Sequence, residues 1–252
     1  MSKPSGAIDM TQGKPINLML RFALPMMIGS IFQSLYSMVD SAVLGRFVGS
    51  HALAAIGATT STTGLILLLA TGVTSAISIV LSQYVGANDT DRVRKGIVAS
   101  GWITLLLGVV LGLISVFAAR PLMQLLKTPE DVIDMSVLYI QIVCGCGIAQ
   151  FAYNAAASIL RALGDSKTPL YFLILCSILN VILDLISVIG LNMGVAGVAV
   201  ATVGSQAISA AICILVMFRK YPDLMPKRHT LRLDMPVSLK IFGMGAQMAL
   251  QS

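Results

Sequence analysis

The sequence predicts an all-α integral membrane protein, built as a six-helix transmembrane bundle plus the start of a seventh helix. Hydrophobic residues make up 56% of the 252 positions and charged residues only 11%, whereas soluble domains carry about 25% charged residues. The apolar residues form runs that reach the roughly 20 residues needed to span a bilayer. The charged residues cluster between those runs, so lipid is the predicted environment of most of the surface.

Six segments are predicted to span the membrane, judged in chain order by the length of each apolar run. They are residues 16–45, 53–84, 95–120, 132–161, 169–190 and 194–218. The breaks between them contain turn-forming residues, as in Gly86–Asp91 and Gly164–Pro169. In the third segment, Gly101, Gly108 and Gly112 predict close packing against a neighbouring helix.

The basic residues predict which side of the membrane each loop faces. With the N-terminus in the cytoplasm, 14 of the 17 Lys and Arg residues fall on the cytoplasmic side, in keeping with the positive-inside rule. Only Arg46, Arg120 and Lys127 then fall outside. We therefore predict a multi-pass protein with a cytoplasmic N-terminus.

The chain divides into a predicted lobe and the beginning of another. Residues 1–220 are predicted to form the six-helix lobe, residues 221–237 a cytoplasmic linker, and residues 238–252 the truncated start of a second lobe. The last segment resembles the first, because both begin with Leu and a basic residue and both reach Gln-Ser about four turns later. Many transporters are built from repeats, so this similarity predicts a second six-helix half that is missing from the sequence.

Two acidic residues, Asp40 and Asp184, fall well within predicted spans, whereas the other nine of the 11 lie in the tail, in loops or near helix ends. An ionisable residue inside a span costs about 2.5–3.5 kcal/mol on insertion scales and therefore indicates function. At a rise of about 1.5 Å per residue, each lies about 9 Å from the outer end of its helix. The alternative is that each aspartate only snorkels or bonds a neighbouring helix.

Three more polar residues are predicted to share that depth. Asn180 lies one turn from Asp184 on the same helix face, and Tyr139 and Thr202 lie at a similar depth on the fourth and sixth spans. Two carboxyl groups close together in a low dielectric cannot both stay ionised at low cost. This layer is therefore predicted to bind H⁺, or to bind Na⁺ through the oxygens of Asp40, Asn180, Asp184 and Thr202.

Other polar residues indicate a substrate cavity. Gln33 and Ser37 share a face of the first span with Asp40, Tyr36 lies beside them, and Asn154 lies nearer the middle of the fourth span. Hydrogen bonding between helices, worth about 0.6 kcal/mol on average, is the alternative for these residues, and both readings stay open here.

Two features bear on the mechanism. Ion occupancy of the layer is predicted to change the packing of the first helix, with a bend at Pro25, because proline lacks a backbone N–H. No Walker-type Gly-x-x-x-x-Gly-Lys segment occurs in the sequence, so nothing indicates direct use of ATP. The predicted protein needs no cofactor beyond its coupling ion.

Four motifs, in order, resemble those of the MATE (multidrug and toxic compound extrusion) transporters. They are Ala23-Leu24-Pro25 through Asp40 and Gly45-Arg46, then Gln83-Tyr84-Val85-Gly86-Ala87, then Arg161-Ala162-Leu163-Gly164-Asp165-Ser166-Lys167-Thr168-Pro169, then Asn180-Val181-Ile182-Leu183-Asp184. The resemblance covers nearly the whole chain, and four motifs in the same order make it specific.

This resemblance implies a complete protein of twelve helices in two lobes, located in the inner (plasma) membrane. It implies export of small cationic or amphiphilic substrates in exchange for Na⁺ or H⁺. The family's N-lobe cation site maps onto Asp40, Tyr139, Asn180, Asp184 and Thr202. Because the family's substrate cavity lies between the lobes, the second lobe is an implied partner, and these 252 residues alone are not expected to transport.

The sequence bears differently on four other functions. A flippase for lipid-linked sugars, or a polysaccharide exporter of related architecture, is disfavoured because the charges deep in the spans are acidic, which favours cationic cargo. An intramembrane aspartic protease, in which two aspartates share a proton, is disfavoured because no Gly-x-Gly-Asp sequence surrounds Asp184. A non-transporting membrane scaffold stays open. Nucleic-acid binding is excluded because the +6 net charge lies in loops without interleaved aromatic residues.

Overall fold

The computed structural model describes residues 15–224, 226 and 234–251. The basic residues Lys3 and Lys14, and Lys227, Arg228 and Arg232 of the predicted linker, lie outside these ranges. The described helices are α1 (Pro15–Val43), α2 (Ser50–Gly86), α3 (Thr90–Leu125), α4 (Glu130–Gly145), α5 (Ile148–Ala162), α6 (Lys167–Leu185), α7 (Gly194–Lys220) and α8 (Met235–Gln251), with π-helical turns at Leu44–Val48 and Ile186–Gly190. The predicted all-α membrane bundle is confirmed.

Helices cover all six predicted spans. Among the described residues, α2, α3, α7 and the combination of α6 with its π turn are long and apolar enough to cross a membrane. The bent pair α4–α5 is also long and apolar enough if the pair forms one span. Two helices are longer than the spans predicted for them, since α2 has 37 residues and α3 has 36. At about 55 Å each, both extend beyond a hydrocarbon layer of about 30 Å.

The fourth predicted span is not one straight helix. α4 ends at Gly145, α5 begins at Ile148, and the two axes differ by 44°. α3 packs closely against this break, because a Cβ on Gly112 would lie 2.9 Å from the Gly145 carbonyl oxygen and a Cβ on Gly108 would lie 3.0 Å from Ile148 Cα. The predicted close packing is confirmed at these two glycines, whereas a Cβ on Gly101 would meet open space.

The main core lies where α2, α3, α5, α7 and α8 meet. Ile77, Leu81, Leu160 and Ile241 are fully buried there. The outward faces of several helices are also apolar, but their long side chains are exposed. Phe117, for example, has 79% of its surface exposed. Exposed apolar surface of this extent is typical of a protein whose solvent is lipid.

A buried carboxylate ties the α5–α6 loop to the end of α7. Asp165 is 1% exposed, and its Oδ2 accepts hydrogen bonds from Lys220 Nζ and from the Thr168 hydroxyl, both at 2.6 Å. The Thr168 backbone N–H donates to Oδ1 at 3.0 Å, and the Tyr221 hydroxyl donates to Oδ2 at 3.4 Å. Burial opposes ionisation, but the hydrogen bonds from Lys220 and Thr168 hold the pKa of Asp165 below its usual value. We call these four residues the Asp165 cluster.

Charged residues pair at the two opposite ends of the bundle. α3 carries Lys95 in its first turns and Arg120 near its other end, about 37 Å away along the helix axis. Lys95 pairs with Asp91 at 3.3 Å and with Asp234 at 3.4 Å, while Arg120 pairs with Asp134. Each pair joins residues that the predicted topology assigns to the same side of the membrane.

α8 covers the predicted seventh segment and packs along α2. The two helices meet where both carry glycine. A Cβ on Gly72 would lie 2.7 Å from the backbone nitrogen of Ala249, and a Cβ on Gly245 would lie 3.0 Å from Val73 Cα. The closeness of this crossing therefore depends on two positions that carry no side chain.

Candidate cation-binding site

Two buried polar residues on α6 form the base of the site. Asn180 and Asp184 lie one helical turn apart, and neither is exposed, at 0% each. α6 packs against both α1 and α7, which bring Asp40 and Thr202 to the same place. The structure therefore collects these four side chains from three helices.

The Asn180 amide bridges the two carboxyl groups. With its nitrogen facing them, Asn180 Nδ2 donates to Asp40 Oδ1 at 2.7 Å and to Asp184 Oδ2 at 3.2 Å. The other amide atom, then the oxygen, lies 3.4 Å from Thr202 Oγ1, whose hydroxyl donates to it. An amide orientation is assigned from its partners, and this one gives both carboxyl groups a donor. The carboxyl groups also contact each other.

Two tyrosines enclose this group. The Tyr36 hydroxyl lies 3.4 Å from Thr202 Oγ1 and is in hydrogen-bonding contact with Asp40. Tyr139 lies near both carboxyl groups and interacts with them electrostatically; within the described ranges, no hydrogen bond joins it to either. The sequence pattern predicts Tyr36 for the substrate cavity, and in the structure its hydroxyl lies at the carboxylate layer. Its i, i+4 spacing from Asp40 is the signal in the sequence for this position.

One carboxyl oxygen of the site has no partner. Asp184 Oδ1 is buried without a hydrogen bond, and no Lys or Arg within the described residues pairs with Asp40 or Asp184. A buried polar atom left unpaired costs about 1–3 kcal/mol, and more if it is charged. The site therefore offers carboxylate oxygens to a proton or to a small hard cation, which prefers oxygen ligands.

Each aspartate lies just before a π-helical turn. α1 continues past Asp40 into the turn at Leu44–Val48, which ends at Gly49 with φ of 112°, and α6 continues past Asp184 into the turn at Ile186–Gly190. Such turns are rare and occur frequently at functional sites. The two turns contact each other. Nothing in the apolar pattern distinguished them from ordinary helix.

A cavity of about 780 Å³ opens along a neighbouring face of α1. It is lined by Gln33, Ser37, Ser30, Ser34, Met38, Ser41 and Leu67. The four serine hydroxyls each donate to the backbone carbonyl one turn earlier, at 2.9 to 3.2 Å. Because each hydroxyl has one proton, these serines turn oxygen lone pairs toward the cavity. This wall therefore accepts hydrogen bonds from a ligand.

Two further predicted residues line an adjoining space. Asn154 and Pro25 line a crevice of about 170 Å³ between α1, α5 and α6. This crevice shares Ser30 and Gln33 with the cavity along α1. α1 is assigned as helix on both sides of Pro25, so the proline lies inside a continuous element.

Comparisons with known proteins agree with this architecture. The family model MatE matches residues 25–186. The probable multidrug resistance protein YpnP of Bacillus subtilis is 31% identical over 98% of this chain and 58% of its own length. The probable multidrug resistance protein NorM of Thermotoga maritima is 24% identical over 89% of this chain and 51% of its own. The chain thus spans about half the length of the curated relatives it matches.

Solved structures share the fold. An outward-facing multidrug resistance MATE family transporter of the MOP superfamily superposes with a TM-score of 0.88 at 25% identity, covering 94% of this chain and 53% of that one. A MOP superfamily transporter from Pyrococcus furiosus reaches 0.88 at 23% identity over 99% of this chain and 55% of that one, which is a likeness of fold alone. MATE proteins are secondary transporters rather than enzymes, which removes the aspartic-protease alternative. The chain belongs to the MatE family of transporters.

Proposed function

We propose that the whole protein is a secondary active antiporter that exports cationic or amphiphilic compounds in exchange for Na⁺ or H⁺. In this proposal Asp40 and Asp184 hold a proton when the coupling ion is H⁺. When the ion is Na⁺, the Asn180 amide rotates so that its oxygen, with those of Asp40, Asp184 and Thr202, holds the ion. The hydroxyls of Tyr36 and Tyr139 complete the surroundings. The observation that carries the proposal is a buried pair of carboxyl groups, joined by one amide, which among the described residues has no fixed cation and has one unpartnered oxygen.

The affinity of this layer for an ion follows because no described Lys or Arg pairs with Asp40 or Asp184. Two carboxylates held together in a low dielectric repel each other, and removing them from water is unfavourable. A proton or a Na⁺ relieves both effects, and unlike a lysine it can leave again. A layer of this kind therefore has two charge states close in free energy, which is what coupling to an ion gradient requires.

Movement of α1 would transmit the change in charge. Asp40 on α1 is linked to α6 through the Asn180 amide, so binding of an ion between the carboxyl groups rearranges a contact between these helices. Pro25 removes one backbone hydrogen bond from α1 and lies about four turns from Asp40. In the proposed cycle, α1 bends at Pro25 when the ion binds or leaves.

The cavity along α1 would take the exported compound. Gln33 and the four serines supply hydrogen-bond acceptors, and Met38 and Leu67 supply apolar surface. Acceptors backed by a layer of acidic charge suit cations that also carry apolar groups. The names of the relatives, which include probable multidrug resistance proteins, support cargo of this class.

The proposed setting is the inner (plasma) membrane, with the N-terminus and the Asp165 cluster on the cytoplasmic side. The positive-inside distribution supports this orientation. Residues 221–237 would then link the lobe to a second lobe that starts with α8. Coverage of about half of each relative supports a second lobe in the whole protein.

The test is efflux of a fluorescent cationic dye from vesicles that contain the whole protein, with an imposed Na⁺ gradient or pH gradient. Asp40→Asn and Asp184→Asn are each expected to abolish gradient-driven efflux. Asp134→Asn is the matched control, because this aspartate lies at an exposed helix start and pairs with Arg120. Efflux that remains at the unaltered rate in both mutants would sink the proposal. The gradient that drives the unaltered protein identifies the ion.

A further inference from the structure

The crevice between α1, α5 and α6 contains a second group of polar residues. Asn154 and Arg161 lie about 10 Å apart on one face of α5, so the crevice is elongated. Ser166 lines it at the Arg161 end, and Met26, Leu170 and Leu173 form apolar walls. Ser166 lies about 21 Å along α6 from Asn180, so the Arg161 end of the crevice is distinct from the carboxylate layer. The opposite end shares Ser30 and Gln33 with the cavity along α1.

Arg161 brings a positive charge to the crevice without a matching carboxylate. Its Nη2 donates to Ser158 Oγ at 2.9 Å, and this is its single hydrogen bond within the described part of the chain. A guanidinium carries five N–H donors in a fixed fork. Most of these donors therefore stay available to an acceptor in the crevice.

Ser166 brings an unpartnered hydroxyl to the same place. The residue is only 4% exposed, and its Oγ makes no hydrogen bond to any described residue. It is the residue that precedes α6, yet its side chain does not cap the helix. A buried hydroxyl in this state is destabilising, and a bound acceptor would remove that cost.

The neighbouring Asp165 does not oppose an anion here. Its carboxylate is paired with Lys220 Nζ at 2.6 Å and faces the end of α7. The start of α6 adds partial positive charge. The local balance of charge at this end of the crevice is therefore positive.

We propose that this crevice binds one oxyanion group, a carboxylate or a phosphate, whose alkyl part lies along the apolar walls. The Arg161 guanidinium would take two oxygens of the group, as guanidinium does with carboxylate and phosphate, and the Ser166 hydroxyl would donate to one. The source of the group is either a free anion or the headgroup of an anionic amphiphile such as a lipid.

Calorimetric titration of the whole protein in a non-ionic maltoside detergent tests this site, with dodecyl phosphate as the probe. We expect one probe per chain, at least tenfold weaker binding in Arg161→Gln, and binding weaker by a smaller factor in Ser166→Ala. Lys167→Gln is the matched control, because Lys167 is an exposed cation at the first position of α6 that does not line the crevice. Its binding should be unchanged.

Three results would overturn the site: no binding of dodecyl phosphate, equal losses in Arg161→Gln and Lys167→Gln, or equally tight binding of dodecyltrimethylammonium. If Arg161→Gln does not fold, Arg161→Lys replaces it. Binding at least threefold weaker is expected, because lysine lacks the forked pair of guanidinium donors. Unchanged binding in Arg161→Lys would count against the proposal.

A competition experiment identifies the source of the bound group. Displacement of the probe by inorganic phosphate indicates a free anion as occupant. Arg161-dependent binding that inorganic phosphate does not displace indicates an anionic amphiphile.

Discussion

The protein buries two aspartates under opposite conditions. Asp165 is 1% exposed and has an ammonium, a hydroxyl and a backbone N–H as close partners. Asp184 is 0% exposed, shares a neutral amide with Asp40, and has one oxygen without a partner. The difference shows that burial alone does not mark function. A carboxylate with its own fixed cation holds the structure together, whereas one that lacks a cation is available to a mobile one.

The largest expected effect comes from giving the carboxylate layer a fixed cation. Asn180→Lys places an ammonium between Asp40 and Asp184, which makes the layer resemble the Asp165 cluster. Gradient-driven dye efflux should fall at least a hundredfold, since a fixed charge of this kind occupies the place of the ion. Gln124→Lys adds the same charge at an exposed position and should leave efflux intact. Efflux by Asn180→Lys at more than a tenth of the normal rate would contradict the comparison.

The converse change removes the cation from the Asp165 cluster. Lys220→Met keeps the apolar stem but leaves a buried carboxylate without its ammonium, and should lower the free energy of unfolding by about 2–3 kcal/mol. Thermal unfolding in detergent measures this loss. Arg219→Met is the control, because Arg219 is exposed and should change stability by less than about 0.5 kcal/mol. Equal losses in the two variants would mean that the pairing with Asp165 contributes little.

Lowering the pH should remove the contribution of Asp165 to the stability of the folded protein. The folded state holds its pKa below the unfolded value, through hydrogen bonds that outweigh burial. Its stabilising contribution is therefore complete above the unfolded pKa of about 3.9 and is lost as the pH falls through the lower folded pKa. The stability gap between the unaltered protein and Asp165→Asn should stay constant from about pH 5 to 8 and close below about pH 4. Thermal unfolding across a pH series measures the gap; a gap already closing near neutral pH would be inconsistent with this cluster.

The smallest effect is expected at Tyr36. Tyr36→Phe removes the hydroxyl that contacts Thr202 and Asp40, and should weaken the apparent affinity for the coupling ion about two- to fivefold, in keeping with about 0.5–1 kcal/mol for one hydrogen bond. The ion concentration that half-saturates efflux measures it. Tyr171→Phe is the control, because Tyr171 is 65% exposed on the outer face of α6. Indistinguishable results from the two variants would place the Tyr36 hydroxyl outside the ion site.

The bundle could be predicted from the sequence because one physical requirement dominates it. A span needs a long apolar run, and that requirement is visible residue by residue. The break between Gly145 and Ile148 was not predictable in the same way, since apolar residues continue through it. The break lies at Gly145 and Gly147, where Gly108 and Gly112 of α3 approach closely, and such a contact depends on which helices are neighbours.

The candidate site also has features that the sequence predicts and features that depend on how the helices pack. The depth of Asp40 and Asp184 follows from counting residues along a helix, so their shared layer could be proposed from sequence. The role of Asn180 as a bridge depends on the rotation of α1 against α6, which hydropathy does not encode. The sequence also gives no sign that the Ser166 hydroxyl lacks a hydrogen-bond partner among the described residues, because a serine that precedes a helix ordinarily caps it.

The glycine crossing of α2 and α8 has a consequence for genetic screens. Replacement of Gly72 by alanine pushes a methyl group into the facing backbone, and at Gly245 it requires Val73 to shift by a few tenths of an ångström. Both positions should therefore resist substitution in a library selected for transport activity, Gly72 more strongly than Gly245. Neither residue contacts the carboxylate layer. A map of inactivating mutations would therefore show two strong positions that look like transport residues. Parallel measurement of how much folded protein reaches the membrane separates such packing defects from lost coupling at Asp184.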